Sequence, residues 1–316
     1  MAPAAPPLLA IVGPTASGKT ELALALARQL PVEILVADSR QVYRGMDIGT
    51  AKPDAAARAA VPHHLLDLVD PDEPFTVAQW VAAARRLIPE IVARGRLPLV
   101  VGGTGLYVSS LLDGHDYDAQ AWSPEVRARL ADRLAVDGLA VLAGRLATLA
   151  PGVAARTDLR NPRRVLRALE RAESGDGGAL PRAVPYGGRV ALLGLERPRE
   201  VIVERVGARA VRLWEGGLLD EVRALLTAGF GPQLDPMTGH GYREAARHLA
   251  GEWSREEALE TMVRRTRQYA KRQMTWFRRE ARITWLAAGD GPADDAALVA
   301  RALAVARPLR SDRLGG

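Results

Sequence analysis

Gly13-Pro14-Thr15-Ala16-Ser17-Gly18-Lys19-Thr20 decides the fold. A glycine, four residues and then Gly-Lys-Thr is the spacing of a phosphate loop. Here it lies between an apolar run, Leu8 to Val12, and an alanine- and leucine-rich segment, Glu21 to Leu30. Strand, loop and helix in that order is the context the motif needs. The N–H groups of such a turn and of the following helix N-terminus surround a phosphate, while Lys19 adds a compact charge and the Thr20 hydroxyl can ligate Mg²⁺. The loop from Gly13 through Pro14, Thr15, Ala16, Ser17 and Gly18 to Lys19 and Thr20 is thus the candidate site for a diphosphate or triphosphate, with Thr20 as metal ligand. Of the 43 basic residues only Lys19, Lys52 and Lys271 are lysines. A lysine kept at 19 in an arginine-biased chain suits a place that wants a point charge.

With 316 residues the chain can bury a sizeable core and hold two domains, or one with a large insertion. It has no cysteine, and its five histidines lack metal-ligand spacing, so disulfides and thiolate or zinc sites are excluded and any metal is held by oxygen. The net charge of +6 points toward nucleic acid or phosphate-rich ligands. Met1 to Pro7 has neither the basic region nor the apolar core of a signal peptide, and no apolar run approaches a membrane span, so a cytoplasmic protein is expected.

Working outward, Val32 to Ala37 reads as a buried parallel strand ending in Asp38-Ser39-Arg40-Gln41. Ligands of open parallel sheets bind at the carboxyl ends of the strands, which puts Asp38 beside the phosphate loop as a candidate base; the alternative is a turn or cap aspartate. Gly45 to Pro53 reads as a loop carrying Lys52. Pro62 to Asp67 reads as a short strand, and its paired histidines are not a metal site, because neighbours on a strand point to opposite faces. Thr76 caps a helix over Val77 to Ala93, with Trp80 in the core, Pro89 as a kink and Gly95 as the stop. Leu97 to Val101 is another buried strand, and it runs into Gly102-Gly103-Thr104-Gly105. Many phosphate-loop hydrolases carry a magnesium-binding aspartate here. Its absence argues against a nucleotide-hydrolysing motor, and Thr104 offers a hydroxyl at the same edge, or else a helix cap.

These pieces resemble the tRNA dimethylallyltransferases. The matching stretches are the loop at 13 to 20, Asp-Ser-Arg-Gln-Val-Tyr at 38 to 43, Met-Asp-Ile-Gly-Thr-Ala-Lys-Pro at 46 to 53, and Pro-His-His-Leu-Leu-Asp at 62 to 67. They continue with Asp-Glu-Pro-Phe-Thr-Val-Ala at 72 to 78, Val-Gly-Gly-Thr-Gly-Leu-Tyr at 101 to 107, Gly-Tyr-Arg-Glu at 241 to 244, and Ala-Lys-Arg-Gln-Met-Thr-Trp-Phe-Arg at 270 to 278.

From His115 the composition shifts to alanine, leucine and arginine with helical periodicity. Ser123-Pro124-Glu125 starts one helix, Leu139 to Leu149 forms a second, and Asn161-Pro162 opens a third toward Ser174. Residues 156 to 171 hold six arginines against Asp158 and Glu170, either a phosphate-binding face or a solvated one. Gly175 to Gly178 is a flexible loop. The sheet resumes at Arg189 to Leu195, followed by helices over Arg199 to Glu215 and Leu218 to Ala228. Arg205 and Arg209, one turn apart, share a face that can approach the phosphate site. Gly239-His240-Gly241 is a glycine-rich turn, a backbone clamp or a plain connection. Ser254 and Glu257 form a capping box for a long helix over Arg255 to Phe277. Along it Arg265, Tyr269, Arg272, Trp276 and Arg279 recur at helical spacing beside Lys271 and Arg278. Interleaved cations and aromatics suit an RNA surface, with Arg272 among the RNA contacts; the alternative is aromatics in the core with arginines snorkelling around them. Ile283 to Leu286 and Ala293 to Ala306 read as a strand and a helix, and Arg307 to Gly316 as a frayed tail.

The expected fold is α/β, a P-loop NTPase-like parallel sheet flanked by helices with an inserted all-helical domain: core residues 1–114, insertion 115–185, core 186–316. No coiled-coil seam appears, so a monomer is expected. The resemblance implies transfer of the dimethylallyl group of dimethylallyl diphosphate to N6 of the tRNA adenosine immediately 3′ of the anticodon, with Mg²⁺. It implies that Arg209 joins the loop on the diphosphate, that Asp38 is the base with Lys19 and Thr104 assisting, and that Asp38, Ser39, Arg40, Gln41 and Thr104 meet the target base. It also implies that Arg127, Arg163, Arg164 and Arg167 hold the anticodon arm of the tRNA. Competing readings are a small-metabolite kinase, a prenyltransferase of free adenine nucleotides, and a non-catalytic RNA-binding protein.

Overall fold

A computed structural model describes residues 5–114, 124–173, 183–293 and 295–311. Six strands form one parallel sheet: β1 (Leu8–Val12), β2 (Val32–Val36), β3 (His63–His64), β4 (Leu97–Gly102), β5 (Val190–Glu196) and β6 (Ile283–Ala287), in the order β3-β2-β4-β1-β5-β6. The central strand β1 is buried at every position because both faces are covered, which is why it reads as an unbroken apolar run. Its side chains alternate between two layers. Leu8, Ala10 and Val12 join a core with Trp80 and Ile88, and Leu9 and Ile11 join another with Leu22, Leu26 and Leu298. Trp80 is fully buried, stacks on Tyr107 and donates its indole N–H to the Val36 carbonyl at 3.0 Å.

The helices around the sheet are α1 (Lys19–Ala27), α2 (Ala55–Ala60), α3 (Val77–Ala93) and α4 (Gly105–Asp113); α5 (Pro124–Leu149), α6 (Pro151–Ala154) and α7 (Pro162–Glu173) follow. After β5 come α8 (Arg199–Leu213), a wide π-type turn at Trp214–Leu218, α9 (Leu219–Thr227), α10 (Tyr242–Leu249), α11 (Arg255–Phe277), α12 (Ala296–Ala306) and α13 (Pro308–Ser311). Thr76 with Gln79, and Ser254 with Glu257, form the capping boxes of α3 and α11. α3 runs through Pro89 as one helix. The paired histidines are structural: His64 binds the buried Glu33 carboxylate at 2.7 Å, and His63 shares its Nδ1 proton with the Val61 carbonyl at 2.8 Å. The expected loop at Gly175 to Gly178 and part of the expected tail lie outside the described residues.

The chain divides into two compact units, Met1–Leu112 with Tyr186–Gly316, and Asp113–Pro185. In the second unit the two helices read before Leu149 are one element broken at Gly138, whose φ of 80° requires a left-handed backbone. Its small core is Leu130, Leu142, Leu146, Val165 and Leu169. Arg127 grips the buried Glu170 carboxylate through two bonds of 2.7 and 3.1 Å, and Arg167 adds a third at 3.0 Å.

Candidate active site at the carboxyl edge of the sheet

The phosphate loop links β1 to α1. Gly18 sits at φ 99° just before the helix, and a Cβ there would meet Ala293 at 2.4 Å, so only glycine fits the turn. Lys19 curls back over the loop and donates to the Pro14 carbonyl at 2.7 Å. Desolvation in the cavity, with Arg209 nearby, lowers its pKa to about 7, and the Asp38 carboxylate opposes the shift.

A cavity of about 900 Å³ opens beside the loop. Its walls include Thr15, Lys19 and Thr20, Asp38 and Gln41 beyond β2, Gly102 and Gly103 at the end of β4, Arg209 of α8, and Tyr269 and Gln273 of α11. Asp38 stands where the strand rule placed it. Its Oδ1 accepts the Arg40 N–H at 2.9 Å, which fixes the carboxylate in an Asx turn; Lys19, Arg209 and Tyr269 all lie within its electrostatic reach. The turn reading and the cavity reading therefore both apply to the same side chain. Thr104 accepts the Ser39 N–H at 3.0 Å, and its own N–H reaches the Ala37 carbonyl at 3.1 Å, so the loop after β4 is tied to the residues after β2. Thr104 also starts α4 through its carbonyl. Gln41 donates to the Thr50 and Ala51 carbonyls at 3.0 and 3.3 Å, while Arg40 is held by Asp235 at 2.7 and 3.0 Å.

The two arginines of α8 both line the cavity, with different partners. Arg209 lines the cavity, where burial lowers its pKa, and donates to the Thr50 carbonyl at 3.4 Å. Arg205 also lines the cavity, and it bonds the Ala16 carbonyl at 3.0 Å and both Glu21 oxygens at 3.1 Å, so it braces the loop as well. The stripe on α11 needs one correction: Arg265 turns inward onto the fully buried Glu244 and the Thr238 carbonyl, so it belongs to the fold. Arg272 and Arg279 are exposed, and the aromatics are not core. Trp276 is 44% exposed, and Tyr269 lines the cavity, where burial and the Asp38 carboxylate push its hydroxyl up to about 12. His240 packs its ring 5.2 Å from Tyr269 and is held neutral, its pKa pushed down to about 4 by burial and by Arg265, Arg272 and Arg40.

Three residues escaped the sequence reading. Glu221 accepts the N–H groups of Asp47, Ile48 and Gly49 at 2.8, 2.6 and 3.0 Å and the Tyr242 hydroxyl at 2.5 Å, anchoring the loop whose Thr50 carbonyl meets Gln41 and Arg209. Arg197, buried behind the phosphate loop, donates to the carbonyls of Ser17, Ala288, Gly289 and Gly291. Gln273 bonds both the phosphate loop and Gly103.

A phosphate loop, a fixed carboxylate and a helix bearing aromatic and cationic groups around one cavity define a phosphate-loop group transferase rather than a nucleotide-hydrolysing motor. A family model described as IPP transferase matches residues 41–280, and one described as Isopentenyl transferase matches residues 6–62. The chain belongs to the IPP transferase family. It is 45% identical to the tRNA dimethylallyltransferase of Syntrophobacter fumaroxidans over 98% of this chain and 90% of that one. It is 46% identical to that of Anaeromyxobacter dehalogenans over 93% and 98%. Among solved structures, the tRNA isopentenylpyrophosphate transferase of Bacillus halodurans matches with a TM-score of 0.72 at 38% identity, covering 98% of this chain and 99% of that one. A eukaryotic dimethylallyltransferase acting on tRNA matches with a TM-score of 0.82 at 26% identity, covering 98% and 80%.

Proposed function

We propose that the protein transfers the dimethylallyl group of dimethylallyl diphosphate to N6 of the adenosine immediately 3′ of the anticodon in tRNA, releasing diphosphate. One observation carries the reading: the diphosphate-type loop and an RNA-suited helix, through Tyr269 and Gln273, line the same cavity, with Asp38 between them in the chemistry. The amine lone pair forms a bond to the allylic C1 as the C1–O bond breaks, and the diphosphate leaves with that electron pair. The amine proton goes to Asp38, held by the Arg40 N–H for that role. Charge developing on the leaving group is met by the loop N–H groups, Lys19 and Arg209. The flipped base costs a few kcal/mol of unstacking, which contacts from Tyr269, Arg272 and Trp276 offset.

The residues fit a hard cation. Thr20 is exposed and lines the cavity, and the carboxylate-bearing Glu21 and Asp38 line it too. Thr20, with diphosphate oxygens and water, would hold Mg²⁺, which neutralises charge on the leaving group. Arg163 and Arg164 are exposed on α7, and Arg127, though paired, keeps 49% of its side chain in solvent; these, with Arg167, are the candidates for the anticodon arm. Ser39 and Gln41 flank the base site.

The test is label transfer. With Mg²⁺, labelled dimethylallyl diphosphate and bulk tRNA unmodified at that adenosine, label should move into tRNA. Label moving only into AMP would make this a free-nucleotide prenyltransferase, and ATP turnover with a small acceptor would restore the kinase reading.

A further inference from the structure

The stripe that α11 buries consists of Ala258, Met262, Ala270, Gln273 and Phe277. Four are apolar, as an amphipathic helix requires. Gln273, 7% exposed, is the exception, and a buried carboxamide costs free energy unless its hydrogen bonds are made. Here both ends are used: Oε1 accepts the Thr15 N–H of the phosphate loop at 2.7 Å, and Nε2 donates to the Gly103 carbonyl at 2.9 Å.

Gln273 and its two partners belong to three separate pieces of the site. Thr15 belongs to the loop that carries Lys19. Gly103 precedes Thr104, which is bonded to Ser39 and Ala37 on either side of Asp38. Gln273 itself lies one turn beyond Tyr269 on the helix that lines the cavity. The approach is close: a Cβ at 103 would lie 2.2 Å from Nε2, so a side chain there would push the carboxamide away from the Gly103 carbonyl. Of the side chains of this length, only glutamine offers one acceptor and one donor at neutral pH. Glutamate would set a carboxylate against the Gly103 carbonyl, and methionine would make neither strong bond.

We propose that Gln273 is a positioning residue that locks the phosphate loop to the glycine loop after β4 and to α11, and so sets the leaving diphosphate in line with the base at Asp38. Thr15 spends its N–H on this lock rather than on the anion, so the anion is held by the N–H groups that follow it. The proposal rests on the prenyl-transfer reading for its kinetic consequence, but the lock itself also governs how the loop holds diphosphate.

The experiment compares Gln273→Glu and Gln273→Met with the unaltered protein, both near the native size so that folding survives; thermal melts verify this. Losing the two bonds should raise KM for dimethylallyl diphosphate and weaken inorganic diphosphate binding by about tenfold or more. The affinity for tRNA, measured without the diphosphate substrate, should stay within about threefold. For Gln273→Glu, the activity ratio to the unaltered protein should climb as pH falls, because a protonated carboxyl regains one donor and one acceptor; Gln273→Met should show no such recovery. Unchanged KM and diphosphate affinity in folded variants would overturn the proposal, as would a loss confined to melting temperature. If the unaltered protein transfers no prenyl group, the prenyl reading fails while diphosphate binding by calorimetry still decides the lock.

Discussion

The two units use arginine in opposite ways. In the insertion, Arg127 and Arg167 converge on Glu170, and Arg129 and Arg145 on Glu173, so each guanidinium meets a carboxylate that offsets part of the charge. At the sheet edge, Arg197 is held by four main-chain carbonyls and Arg209 donates to the Thr50 carbonyl. Carbonyls satisfy donors without cancelling charge. The edge therefore keeps a positive potential for an anion to meet, strengthened by the low dielectric of the cavity, whereas the insertion uses charge mainly to hold helices together. Arg205 lies between these cases, bonded to the Ala16 carbonyl and to Glu21.

The sharpest division between the units should come from Asp38. Asp38→Ala should lower kcat by about 10²- to 10⁴-fold, the usual worth of a general base, while tRNA binding by filter retention stays as it was. Normal turnover would remove Asp38 from the chemistry. Next, Arg209→Gln should weaken diphosphate binding by roughly ten- to a hundredfold, the scale of a lost charge-assisted bond, with no change in the melting of the insertion; an unmoved affinity would mean that the edge holds no reserved charge.

A smaller effect follows from Lys19. Its pKa near 7 in the ligand-free protein lies below its ordinary value, so above pH 7 the side chain is neutral and binding an anion must first add a proton. Affinity for diphosphate should thus fall as pH rises through 7, by up to about tenfold per unit, and calorimetry in two buffers should register proton uptake. A flat profile from pH 6.5 to 8.5 would contradict it. Smallest of all, Arg163→Gln with Arg164→Gln should make the salt dependence of tRNA binding shallower, by about one unit of slope for each phosphate no longer neutralised, and leave diphosphate affinity alone. An unchanged slope would take these two off the RNA.

The phosphate loop, the strands and Asp38 were legible because each follows from a local rule: glycine spacing, apolar runs, and the carboxyl edge of a parallel sheet. The residues that join those pieces carry no local signature. Gln273 looks like any polar position on a basic helix, and its partner Thr15 lies 258 residues away. Glu221 reads as an ordinary first-turn acid of α9, and only the fold brings Asp47, Ile48 and Gly49 to it. Spacing put Arg205 and Arg209 on one face, and both line the cavity, but only the fold shows that Arg205 is also bonded to Ala16 and Glu21. Arg265 shared the period of the RNA stripe, yet buried Glu244 draws it inward. Periodicity identifies a face without identifying what covers it.

The account stands most directly on which atom receives the prenyl group. After reaction with labelled dimethylallyl diphosphate, the tRNA would be digested to nucleosides and the labelled product identified by mass and retention. The account predicts a single labelled nucleoside, N6-dimethylallyladenosine, arising from the position 3′ of the anticodon and absent with Asp38→Ala. Label on another nucleoside, on another position, or undiminished in Asp38→Ala would contradict it.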